Sequence, residues 1–441
     1  MDFVTGGILC VLVLLALMAT SLQIGLAFIL GGCIVSSLLI GFDSTISLLG
    51  QAAYFSIATP TWTCIPLFTL MGAFAAYGGY AQRTYNGVYA LARRLKGSLA
   101  IATCLGCAGF GFLSGSSIAA TAIFGKLVFP EMQRIGYDKK LSTACIASAG
   151  TFASMIPPSM MMVIYAMFTQ QSVGKLFAAG IIPGFVTAFV YSAYIIYAVK
   201  KNPKLAPEAP ETHLFTSDQR KKAIFDMWPV AIIALAVLGG IYAGIFTPTE
   251  AAAVGSILTL AFGYFQGSIR KTSIVNAAMK ESASTTAMLF LINIGALFYS
   301  RVLALTGLPT EMAMFLLNLN IPRIFIMIGI LGIMFLLGMI MVPVGIYALT
   351  LPVVFPLIVK LGYDPIWFGV IALNLTEIGS ITPPVGLNVY AMKGVISPEY
   401  NVSLEDIFSG VWPFVVCNII VLVILFIFPQ IVTWLPNLLL G

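Results

Sequence analysis

Two short stretches of an otherwise apolar chain carry groups able to hold a cation: Ser154-Met155-Ile156-Pro157-Pro158 and Ser380-Ile381-Thr382-Pro383-Pro384. Proline has no N–H, so two in succession leave carbonyl oxygens one turn back without a helical partner, and the neighbouring hydroxyls add oxygens. Neutral oxygens of this kind suit a hard cation such as Na⁺, while helix N-termini aimed at the same break favour an anion. A third cluster, Ser114, Ser116, Ser117 and Thr121, interrupts another apolar run, where Gly115 admits an open backbone. The competing reading is that these hydroxyls bond back to their own helices and that the proline pairs are packing kinks. Glu377 precedes the second stretch by three residues and is ionisable in an apolar segment. It either belongs to the site or faces a cytoplasmic vestibule.

The elements that must position these groups are membrane helices. Of 441 residues, 60% are hydrophobic and 9% charged, against about 25% charged in soluble domains. Apolar stretches of about 20 residues, enough to cross a bilayer, recur along nearly the whole chain. The first follows Met1-Asp2-Phe3 without a charged leader region and reads as a first transmembrane helix. The seven cysteines lie in apolar segments; Cys104 and Cys107 have redox-motif spacing but no second pair, and read as packing residues. His213, the only histidine, sits in a polar linker, which argues against imidazole-based metal sites and catalysis. An intramembrane enzyme would further need paired Asp residues or a Ser beside a base, and a passive channel does not need re-entrant segments from opposite faces.

The chain repeats itself. "VFPEMQRIGYD" (128–138) and "VFPLIVKLGYD" (354–364) share Val-Phe-Pro and Gly-Tyr-Asp at an offset of 226 residues, and the same offset carries Ser154, Pro157 and Pro158 onto Ser380, Pro383 and Pro384. Each copy predicts a broken apolar run, 98–127 or 324–357, then a long helix unwound at Pro-Pro, 141–170 or 366–395. The first run breaks at 113–121 and leaves arms of about 15 residues, roughly 22 Å each, short of the 30 Å hydrocarbon core. A re-entrant hairpin fits better than two spans, and the second run, broken near 338–345, reads the same way.

Orientation follows from Lys and Arg, which stay cytoplasmic in short loops. If hairpin 98–127 opens to the cytoplasm, loops 81–97, 126–140, 200–222, 266–280 and 393–410 lie there too, and they hold 18 of the 22 basic residues. Hairpin 324–357 then enters from outside, so the copies are inverted. Helices are expected near 4–19, 22–41 and 52–78, near 176–199, 223–243, 250–266 and 283–305, and near 411–437. Thr247, Pro248 and Glu250 form a capping box that starts one of them. Five units follow: 1–97, transmembrane helices with a cytoplasmic-side interfacial helix; 98–170, first hairpin and broken helix; 171–323, connecting helices with the solvated linker 200–222; 324–395, second hairpin and broken helix; and 396–441, the last helix. The fold class is an all-α polytopic membrane protein with two inverted repeats, re-entrant hairpins and discontinuous helices. Unwound chain at membrane depth must be buried or line a cavity, so the breaks are expected to meet at a midplane site for substrate and ions, as in a secondary transporter.

"GFLSGSSIAATA" (111–122), "SMIPPS" (154–159), "GIFTPTEAAA" (244–253) and "ITPPVGLNVY" (381–390) resemble, in that order, the large membrane subunit, M or DctM type, of tripartite ATP-independent periplasmic (TRAP) transporters. The resemblance implies an elevator-type ion-transporter-like fold in a bacterial inner membrane. It implies Na⁺-driven uptake of a small organic anion, a carboxylate or sugar acid, delivered by a periplasmic binding protein. A small membrane subunit would be a separate chain, and no cofactor, enzymatic activity or nucleic-acid partner is implied. One Na⁺ would be held by Ser114, Ser116, Ser117 and Ser154, and another by Gly338, Gly379 and Thr382, largely through backbone oxygen. The substrate is expected against Ser117, Thr121, Pro157, Pro158, Val342, Pro343, Pro383, Pro384 and Asn388. Many members carry an acidic residue before the proline of the second tip, where this chain has Val342-Pro343. A stand-alone Na⁺/carboxylate symporter of similar plan is the alternative.

Overall fold

A computed structural model describes residues 3–20, 22–207, 216–318 and 321–441; His213 and the middle of linker 200–222 lie outside the described residues. The chain enters through α1 (Phe3–Ala19) and α2 (Ile24–Ile40). Where one helix is expected over 52–78 there are two, α3 (Phe42–Ile57) and α4 (Cys64–Tyr77), bent by 59°. The break falls at Thr59-Pro60: proline disfavours helical backbone in the residue before it, and Thr59 is extended. The short α5 (Tyr80–Ala92) follows.

The first hairpin is α6 (Ser98–Ser114) and α7 (Ser117–Ile135). Its arms of 17 and 19 residues exceed the expected length, yet at about 26 and 28 Å they stay short of a full crossing. The broken helix behind it is α8 (Lys139–Ala149), α9 (Phe152–Met155) and α10 (Met160–Thr169), bent by 46°. Then come the long α11 (Val173–Lys201) and α12 (Ser217–Phe225), which runs on through α13 (Trp228–Ala234), one π turn and α14 (Gly240–Tyr242). Thr247 and Glu250 exchange the expected capping-box bonds at the head of α15 (Pro248–Phe265). The 34-residue α16 (Thr272–Leu305) starts well before the predicted boundary and leads to α17 (Leu308–Asn318).

The second copy repeats the plan as α18 (Arg323–Gly338), α19 (Pro343–Lys360), α20 (Pro365–Ile381) and α21 (Leu387–Val395). The shared Gly-Tyr-Asp is the same device twice. Gly136 and Gly362 have positive φ, and Asp138 and Asp364 cap the next helix by accepting from Leu141 N at 2.9 Å and Trp367 N at 2.8 Å. Finally α22 (Leu404–Ile427) stops before Pro429, so the end of the chain is two helices, the second being α23 (Gln430–Leu440), rather than one over 411–437.

One large apolar core joins α4 to α11 with α18 to α22. A smaller one, around Phe28, Phe298 and Tyr299, ties α1 and α2 to α16. Long apolar side chains also cover the outside: Leu38, Phe325, Ile328, Leu336, Ile420 and Ile427 are all exposed. Such a coat suits hydrocarbon and not water. Among the described residues, five helices are long and apolar enough to span a membrane, or up to seven if each bent pair is one span.

Candidate functional site

The first hairpin turns at Gly115, whose φ of +58° is left-handed, and Ser116 is extended and caps α7 by accepting from Ala119 N at 3.4 Å. A Cβ on Gly115 would lie 2.8 Å from the Pro158 carbonyl oxygen, so glycine lets the tip sit directly on the first Pro-Pro break. The second tip does the same to the second break. Val385 N donates to Met339 O at 3.2 Å, and Gly379 packs its backbone on Gly338. Both tips therefore end on unwound chain, which supplies the protein burial that irregular backbone needs at membrane depth.

Each break holds its own hydroxyls. Ser154 Oγ donates to Thr151 O at 3.0 Å, Ser380 Oγ to Glu377 O at 2.7 Å, and Thr382 Oγ1 to Ile378 O at 2.6 Å. The back-bonded reading holds for these three side chains. Ser114 and Thr121 differ: both are buried, and neither hydroxyl has a partner. The Pro157–Pro158 and Pro383–Pro384 peptide bonds are both cis.

A cavity of about 470 Å³ opens between the tips. Ser114, Ser116, Ser117, Ser154, Val342, Pro343 and Glu377 line it from the two repeats, and Thr69 and Gly72 of α4 with Glu281, Ser282 and Thr285 of α16 complete the wall. Six of the predicted site residues thus share one surface. The others stand behind it: Thr121 packs on Gly150, and Asn388 Nδ2 reaches Ala147 O at 3.4 Å. Pro157 and Pro158 are buried under the first tip, Pro384 is exposed, Gly338 and Gly379 form the seam of the second tip, and Thr382 and Pro383 follow in the break. None of these nine lines the cavity.

Glu377, for which the sequence allows two places, is in the site. Its carboxyl accepts from Ser117 Oγ at 3.4 Å and Ser380 Oγ at 3.4 Å, and the Ser154 hydroxyl faces it too. The wall formed by α4 and α16 escapes motif reading, because Glu281, Ser282 and Thr285 fall in no motif. An acidic residue inside a long apolar helix is the one signal that could have found it.

The sequence matches the family described as Tripartite ATP-independent periplasmic transporter, DctM component, over residues 11–431. It is 34% identical over 379 residues to the C4-dicarboxylate TRAP transporter large permease protein DctM of Pseudomonas aeruginosa, covering 86% of each chain. It is 29% identical to the sialic acid TRAP transporter large permease protein SiaM of Vibrio cholerae, covering 86% of this chain and 87% of that one. The structure resembles the Alcanivorax borkumensis YdaH transporter with a TM-score of 0.60 at 15% identity, over 90% of both chains, a likeness of fold alone. The architecture is accordingly an all-α polytopic membrane fold in which a helical hairpin followed by a discontinuous helix occurs twice, a fold like that of the YdaH transporter. With a family match over nearly its whole length and relatives that are transporter permeases, the chain belongs to the DctM component family of tripartite ATP-independent periplasmic transporters.

Proposed function

We propose that this protein is the large membrane subunit of a transporter that imports a small organic anion, a carboxylate or sugar acid, across a bacterial inner membrane by Na⁺ symport. A periplasmic binding protein delivers the substrate, and a separate small membrane subunit completes the assembly. The observation that carries this reading is the cavity between the two hairpin tips. In this reading the residues from both repeats form its mobile part, and those from α4 and the long α16 its fixed part.

In this reading Na⁺ is a co-substrate held at the two tips, by Ser114, Ser116, Ser117 and Ser154 in the first and by backbone oxygens of Gly338, Gly379 and Thr382 in the second. The unpartnered Ser114 hydroxyl supports the first position, since a buried oxygen without a donor is best satisfied by a cation or water. The head of α7, at Ser117, and that of α19, at Pro343, supply positive dipole ends at the cavity for the anion. Hairpins and broken helices, 98–170 and 324–395, move as one body against the helices of 1–97 and 171–323 and carry the site from one face of the membrane to the other.

Uptake by proteoliposomes holding both membrane subunits, measured with and without the soluble binding protein, tests the proposal. Uptake only in its presence is the expected result. Equal uptake without it would favour a stand-alone symporter of the same fold.

A further inference from the structure

We infer that Glu377 is a ligand of the coupling cation, holding Na⁺ between the first hairpin tip and the second broken helix. The inference rests on the Na⁺-symport reading above and adds to it a charged ligand that both repeats share.

Glu377 is 2% exposed, and its carboxyl accepts from the Ser117 and Ser380 hydroxyls with that of Ser154 beside it. An ionised carboxylate buried without a cation is costly, and such groups are normally paired or bound to metal. No lysine or arginine lines this cavity among the described residues. The ion pairs Arg134–Glu131 and Lys140–Asp406 belong to other surfaces. The two contacts from Ser117 and Ser380 are each 3.4 Å, long for O–H···O bonds, and the Ser380 proton is already directed to Glu377 O at 2.7 Å. The carboxylate is therefore short of donors.

Around it stand the oxygens a hard cation needs. Ser114, Ser117, Ser154 and Glu377 all line one end of the cavity, and Ser114 Oγ, on a residue 7% exposed, has no partner. Three of these residues come from the first repeat and Glu377 from the second, 260 positions after Ser117. A cation bound here would pull the first tip and the second broken helix together.

The same charges give coupling a physical basis. Glu281 of α16 also lines the cavity, so an anionic substrate entering alone meets two carboxylates and, among the described residues, no lysine or arginine. Na⁺ on Glu377 removes one of those repulsions at the moment the substrate needs it. Substrate then enters only a cavity already holding its ion.

The test is Glu377→Gln, which keeps the shape and removes the charge, in the full reconstituted transporter with its binding protein. At clamped pH, the Na⁺ concentration for half-maximal uptake should rise by at least about tenfold, the scale expected when one member of a buried charge pair is lost. The number of Na⁺ moved per substrate should fall by one. In the purified membrane protein, Na⁺ added in place of choline should raise the thermal midpoint of the wild type, and this shift should be lost in Glu377→Gln while the midpoint in choline is preserved. That second measurement reads binding even where the variant does not transport. Unchanged half-saturation and stoichiometry, or an unchanged Na⁺-induced thermal shift, would overturn the inference. So would a variant that keeps its Na⁺ dependence and loses only its pH dependence, since Glu377 would then carry a proton. A wild type indifferent to Na⁺ would instead remove the symport reading itself.

Discussion

Gly379 of the second broken helix meets Gly338, the last residue of hairpin arm α18, so closely that a Cβ on Gly379 would lie 2.4 Å from the Gly338 carbonyl carbon. The contact is one-sided. A Cβ on Gly338 would reach its nearest neighbour, Gly379 Cα, at 3.4 Å, an ordinary separation. Gly379→Ala must therefore push the second tip off its break, at about 1–3 kcal/mol, the usual cost of overpacking. Gly338→Ala should stay within about 0.5 kcal/mol, like most substitutions away from such features. Thermal unfolding of both variants in detergent checks the asymmetry; equal losses would mean that the tips do not seat on the breaks as described.

A hydroxyl that already has a partner should matter less to an ion than one that has none. Ser114 Oγ is buried and unpartnered, whereas Thr382 Oγ1 donates to Ile378 O at 2.6 Å. Ser114→Ala is expected to raise the Na⁺ requirement of uptake about tenfold, in line with roughly 1–3 kcal/mol for an underserved buried polar group. Thr382→Val should shift it less than about threefold, because the second tip relies on backbone oxygen, although its lost back-bond costs about 1 kcal/mol of stability. Sodium titrations at matched expression distinguish the two; the reverse order would place the ion on the Thr382 side chain.

The break chemistry was readable because it is local. Ser-x-x-Pro-Pro, the Gly115 turn and the Gly-Tyr-Asp caps each act within a few residues, and a constant offset of 226 exposed their duplication. What stayed hidden depends on packing. Ser117 and Glu377 meet across 260 residues, Asn388 reaches Ala147 in the other repeat, and the cavity wall at Glu281 and Thr285 comes from a helix with no motif. Hydropathy also merged helices that single prolines separate, at Thr59-Pro60 and Phe428-Pro429. Average apolarity is blind to the one residue that bends the backbone.

Sidedness gives a further expectation. The basic residues place Lys204 in the cytoplasm and Lys360 outside, and both are exposed. Cysteine introduced at Lys360 should react with an impermeant maleimide in intact spheroplasts, and cysteine at Lys204 only after permeabilisation. The opposite labelling would invert the whole topology, and with it the direction in which each hairpin enters.

The cavity presents serine hydroxyls and two carboxylates and no lysine or arginine among the described residues, so an anion should enter it only with a cation. The most direct measurement is initial uptake of substrate by proteoliposomes containing both membrane subunits and binding protein, under an inward Na⁺ gradient or an inward pH gradient of equal driving force. Accumulation with the Na⁺ gradient, and none with the pH gradient in Na⁺-free medium, is the predicted result. Equal accumulation under the pH gradient alone would contradict it.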